Sequence, residues 1–289
     1  MNPPAPASPI PSTEVMMMPQ PRIAYQLYSA RQEAARDLPA VLRALKEQDY
    51  DGVEFAGFHG HSAENIAGLL AESGLAVASS HVSLAELRQD AHAVIAFHQR
   101  IGCPYIAIPY LADEDRPGQP GFARLIAHIY RLGHLCREAG IQLLYHNHDF
   151  EFAPVSGMHG LDFLYDAIPA DLLQTEIDTC WVRYAGVDPV EYLRKYAGRA
   201  PVVHMKDYVG RKGGTDSPYQ LIGQESKAKA EQSAFAFRPL GRGIQELPAL
   251  VRAAVAAGSK WLVVEQDDSP DMPPLEASAI SIAELRKHL

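Results

Sequence analysis

Eight short apolar runs, each followed by a stretch with helical spacing, constrain this chain more than any other feature. They are Ile23–Tyr28, Gly52–Ala56, Ala76–Val82, Tyr105–Tyr110, Gln142–His148, Gln174–Thr179, Val202–Asp207 and Trp261–Gln266. Most are apolar on successive residues, the pattern of strands covered on both faces in a parallel sheet. Between them, Leu38, Val41, Leu42 and Leu45 recur at helical spacing, and Ser62 is placed to cap a helix that stops at Gly74. Further helices are predicted over 84–101, 122–139, 160–167, 188–196, 247–257 and 274–289. Gly74, Gly102, Gly140 and Gly258 fall where helices should hand over to strands. Eight strand–helix units in a row favour a closed TIM-type (β/α)8 barrel, and a single domain of roughly 250 residues suits that fold. No GxGxxG follows the first run, which argues against a dinucleotide-binding sheet.

Residues 1–21 differ from the rest, being rich in Pro and Ser, and read as a disordered N-terminal arm ahead of a barrel over 22–289. The segment from Val209 to Gly243 is long for a connection; in a barrel it would lie at the catalytic rim as a lid or a contact to another subunit of a homo-oligomer. The net charge is −9 and no Lys/Arg run stands out, so nucleic acid is not an expected partner. No stretch approaches the ~20 apolar residues that cross a bilayer. Cys103, Cys136 and Cys180 lack CxxC spacing, as expected of free thiols in a reducing, cytoplasmic setting.

Four of the apolar runs end in side chains that bind metals or move protons. In the sixth, Glu176 and Asp178 share a face, Asp178 nearer the carboxyl end; taken alone it could equally cap the next turn. In the seventh, His204 and Lys206 share a face. The eighth ends in Glu265, a carboxylate that is costly after buried apolar residues unless paired or metal-bound. The fifth offers His146, His148 and, further on, Glu151. Glu54 and His81 end the second and third runs, Trp181 could wall a sugar ring, and Arg242 could hold a substrate anion. Each of these four could as well be packing, capping or a turn. Carboxylates with imidazole and no thiolate suit Mn²⁺ first, then Mg²⁺, Co²⁺ or Zn²⁺. Such an ion would polarise a carbonyl so that a carboxylate or His could take the adjacent proton.

The segments Tyr145-His146-Asn147-His148-Asp149-Phe150-Glu151-Phe152, Ile177-Asp178-Thr179-Cys180-Trp181, Val203-His204-Met205-Lys206-Asp207 and Val264-Glu265-Gln266-Asp267 resemble the xylose-isomerase-like sugar phosphate isomerase/epimerase superfamily. Asp51-Gly52-Val53-Glu54-Phe55 and Gly241-Arg242-Gly243 fit it too, and the likeness runs from Arg22 to the end. The resemblance implies a metal held by Glu, Asp, His and Glu from strands five to eight. Asp178, His204 and Glu265 match these positions. At strand five this chain has His146 where many members carry Glu, so Glu151 is expected as the ligand and His146 as the runner-up, otherwise a proton-transfer group. The expected function is a metal-dependent sugar isomerase or epimerase working through an enediolate, with Glu151, Glu265, His146, His148 and Lys206 in the chemistry. Its small-molecule partner would be a sugar or keto sugar. A dehydratase acting on an inosose or 3-keto sugar, and a catalytically silent sugar-binding barrel, are the alternatives.

Overall fold

The computed structural model describes residues 20–210 and 235–289. The expected N-terminal arm and most of the lid segment lie outside the described residues. Eight parallel strands close into a barrel in which each is hydrogen-bonded to its sequence neighbours, and the eighth pairs with the first through Arg22↔Trp261 to Tyr25↔Val264. The strands are Arg22–Gln26, Gly52–Ala56, Ala76–His81, Tyr105–Ile108, Gln142–His146, Gln174–Asp178, Val202–Met205 and Trp261–Val264. All eight predicted strands are present, several ending a residue or two earlier than expected. Lys206 and Glu265 therefore stand just past strand ends, at the rim.

Helices of the outer ring follow the predicted positions. That over Ala63–Ser73 is capped by the Ser62 hydroxyl and ends at Gly74, whose positive φ of 66° suits glycine. The helix over Leu84–Arg100 begins in a reciprocal cap between Ser83 and Glu86. The first helix, Arg31–Glu47, is interrupted at Asp37, whose carboxylate accepts from the Ala40 N–H at 3.0 Å and so caps the part that follows, with Pro39 in its first turn, where a missing N–H costs nothing. One α-helix was not expected: Thr179–Tyr184 starts directly after Asp178.

Inside the barrel the side chains form layers. Ala24, Ala78, Ala107, Leu144, Val202, Trp261 and Val263 make an apolar floor. Gly52 has no room for a side chain there, since a Cβ would press on the Ala76 carbonyl at 2.6 Å and the Trp261 ring at 2.9 Å. Because side chains alternate along a strand, the next inward positions above this floor are Gln26, Glu54, His146, Glu176 and His204. A hydrophobic floor beneath a polar layer places the chemistry at the carboxyl ends of the strands.

Beyond strand seven, Asp207–Val209 pairs antiparallel with Ala236–Arg238. The Asp207 carboxylate then accepts hydrogen bonds from the backbone N–H groups of Tyr208, Gly241, Gly243 and Gln245, pinning the Pro239–Gln245 turn to the barrel. A Cβ at Gly243 would collide with that carboxylate and with the Tyr208 carbonyl oxygen. Gly243→Ala is accordingly expected to cost about 1–3 kcal/mol, the usual range for overpacking, seen as a lower urea midpoint with unchanged slope.

Candidate metal centre

The fifth to eighth strands bring His146, Asp178, His204 and Glu265 together: one donor atom from each lies within 4.8 Å of the others, and all four residues are buried. The register explains this, since Asp178 sits directly opposite His204 in the sheet. Asp178 both caps and faces inward. Its Oδ1 accepts from the Cys180 and Trp181 N–H groups at 2.8 and 3.0 Å, starting the short helix. Its Oδ2 turns to His146 Nε2 at 3.4 Å and Lys206 Nζ at 3.0 Å. Asn147 fixes the strand edge, its Oδ1 accepting from the Asp178 N–H at 3.0 Å.

Lys206 is fully buried among Asp178, Glu265 at 2.6 Å and Asp267 at 2.9 Å. Burial alone would lower its pKa, but these carboxylates hold it well above the usual lysine value. Burial would likewise raise Glu265, yet Lys206 and His204 keep it well below the carboxylate range. Asp267 is different: burial, then the Glu265 charge, pushes it up to about 7. His148 is driven well below the usual imidazole value, first by burial and then by His146.

His146 Nδ1 and Nε2 are buried and make no hydrogen bond, and Nε2 faces Asp178 Oδ2 at 3.4 Å. A buried imidazole without a partner is costly, and one set among Asp178, His204 and Glu265 fits a cation held by imidazole and carboxylate. A divalent ion therefore suits these residues.

Other expected site residues fall differently. Glu151 does not join the cluster. Its carboxylate accepts from the Tyr145 hydroxyl at 2.7 Å and the His148 N–H at 2.8 Å, closing the turn after strand five, and His146 stands in the place expected of it. Trp181 is wholly buried with Tyr184, Tyr208, Phe235 and Phe237 and is not a wall of the cavity; its ring lies 5.6 Å from the Lys206 ammonium. Arg242 is exposed and borders a separate depression with Arg238 and Met272. Glu54 lies beneath the cavity, its Oε2 2.7 Å from His204 Nε2 and accepting from Gln26 at 2.6 Å. His81 does line the cavity, and its Nε2 meets Glu176 at 2.8 Å. From sequence, Glu176 was placed on the face of Asp178 but given no role, and Asp267, two positions past Glu265, was not singled out; the two-residue repeat was the signal for both.

Above the cluster opens a cavity of about 320 Å³, lined by Tyr28, Tyr110, His81, His146, His148, Lys206, Glu265 and Asp267 among others. Its volume suits a small molecule.

Burial pushes Glu151 up to about 8 from an ordinary 4.5. The folded chain then keeps a proton that the unfolded chain releases earlier, so this group's contribution to stability is complete below about pH 4.5 and is lost as pH rises to about 8. Glu151→Gln is expected to flatten the decline in urea midpoint across that window; an unchanged pH profile contradicts the assignment.

No curated protein sequence matches the chain. Among solved structures, a sugar phosphate isomerase/epimerase from Parabacteroides distasonis is 20% identical, with a TM-score of 0.73 over 96% of this chain and 98% of that one. The probable 3-DHS dehydratase AsbF of Bacillus anthracis, involved in petrobactin synthesis, is 11% identical, with a TM-score of 0.71 over 91% and 98%. The IolI protein, solved with a zinc atom, is 12% identical, with a TM-score of 0.67 over 93% and 99%. At these identities the likeness is one of fold. A family model described as xylose isomerase-like TIM barrel matches residues 42–288, and the chain belongs to that family.

Proposed function

We propose that the protein is a divalent-metal-dependent isomerase or epimerase of a small sugar or keto sugar, acting by proton abstraction next to a carbonyl through an enediolate. The observation that carries this reading is the convergence of His146, Asp178, His204 and Glu265 at the base of a cavity of small-molecule size. These four residues would hold the ion, with Mn²⁺ the first choice for the donor set. When bound, the ion supplies Lewis acidity to the substrate carbonyl.

The chain's own groups supply the rest. His148 faces the cavity and is uncharged at neutral pH, so its imidazole accepts the proton from carbon. Lys206, fixed as an ammonium by three carboxylates, donates a hydrogen bond to the oxygen on which negative charge develops. Asp267, which also lines the cavity and whose carboxyl is pushed up to about 7, returns a proton. Tyr28 and Tyr110 give the cavity apolar faces that exclude water. Lys206 is the one lysine or arginine among the described lining residues, and it is already engaged, which favours an uncharged substrate over a phosphate ester.

A lyase reading is supported by the same Asp267, which at neutral pH can protonate a departing hydroxyl. Incubating the Mn²⁺-loaded protein with candidate keto sugars in D₂O separates the two. Isomerisation or epimerisation gives products that carry solvent deuterium and keep their oxygen, whereas dehydration loses one water. Metal binding without turnover of any keto sugar would favour a silent sugar-binding barrel. Three buried free cysteines suit a cytoplasmic home, and among the described residues no helix is long and apolar enough to cross a membrane.

A further inference from the structure

We propose that Glu54, His81, Glu176 and His204 form a second binding site for a divalent transition-metal ion, below the first and sharing His204 with it. The four come from strands two, three, six and seven, and one donor atom from each lies within 4.8 Å of the others. The His81 and His204 rings are parallel, 5° apart in plane with centroids 5.3 Å apart. Both present Nε2 to the same pair of carboxylates. His81 Nε2 is 2.8 Å from Glu176 and 3.5 Å from Glu54; His204 Nε2 is 2.7 Å from Glu54 and 3.5 Å from Glu176. Donors about 2.1 Å from one ion, in tetrahedral or octahedral array, lie roughly 3.0–3.4 Å apart. The observed separations bracket that range.

Two further observations point to a cation. His204 Nε2 is buried and, although close to Glu54, makes no hydrogen bond with it or with anything else. And Glu54 and Glu176 are both fully buried and close enough for the Ser79 hydroxyl to reach each, yet among the described residues neither has a lysine or arginine partner. Two carboxylates in a dry interior need positive charge, and among the described residues His81 and His204 are the groups that face them, able to carry that charge or to hold an ion that does. His81 borders both this cluster and the cavity, so an ion can arrive past it.

The two nitrogens of His204 divide between the sites, Nδ1 lying 2.8 Å from Glu265 and Nε2 beside Glu54. Serving both ions at once takes the last ring proton, which passes to the buffer. This site does not depend on the reaction proposed above. The test is metal analysis of the full chain after loading with Mn²⁺ and desalting, with electron paramagnetic resonance to detect coupling between neighbouring ions. Two ions per wild-type chain with a coupled signal are expected, and Glu176→Gln and His81→Gln should each hold one uncoupled ion. One ion in wild type and in both variants overturns the second site and leaves the first intact. No ion in wild type overturns both.

Discussion

Asp178→Asn is expected to abolish metal retention and lower turnover by about three orders of magnitude or more, while leaving the fold close to wild-type stability. The two effects separate because the side chain does two jobs through two atoms. An Asn oxygen can still accept from the Cys180 and Trp181 N–H groups, so the helix start survives and the stability change should stay within about 1 kcal/mol. The charged Oδ2 that faces His146 and Lys206 is lost. If the ion contributes several kcal/mol of transition-state stabilisation, its loss corresponds to about 10³-fold or more in rate. Metal content and steady-state turnover, read alongside a urea titration, check this. Full activity in a folded, metal-free Asp178→Asn protein would refute the ligand assignment.

Lys206→Met should have the largest effect on stability. Its ammonium is the shared partner of Asp178, Glu265 and Asp267, all of them buried at the base of the cavity. Removing one member of a buried ionic cluster leaves the others uncompensated, typically at a cost of about 3–5 kcal/mol. Two of the three stranded carboxylates are metal ligands in this account, so saturating Mn²⁺ should restore part of the loss by binding the folded state. Urea unfolding with and without Mn²⁺ measures both parts. A variant as stable as wild type without metal contradicts the buried network, and equal destabilisation with and without metal contradicts the place of Asp178 and Glu265 at the ion.

The barrel was legible because its signals are local and repeated. Continuous apolar runs marked the strands, and the spacing of Leu38, Val41, Leu42 and Leu45, with Ser62 and Gly74, marked helices and their ends. Asp178, His204 and Glu265 could be picked out because each ends such a run, and neighbouring strands set them side by side. What escaped depends on contacts across the fold. Glu151 looked like the strand-five ligand by residue type, but the Tyr145 hydroxyl, on the same strand, turns its carboxylate away from the cluster. Trp181 has the chemistry of a sugar platform, and only packing against Phe235 and Phe237 shows it to be interior. The Thr179–Tyr184 helix is too short for a periodic signal and owes its start to the Asp178 side chain. Glu176 was read on the face of Asp178 without a role, and Asp267 obeys the same two-residue repeat after Glu265 and could have been read from it.

The most direct test is anomalous diffraction from a crystal of this protein soaked in Mn²⁺. The account predicts a peak about 2.0–2.3 Å from donor atoms of His146, Asp178, His204 and Glu265. A peak on Glu151 instead of His146, or no peak at the barrel mouth under saturating Mn²⁺, contradicts it.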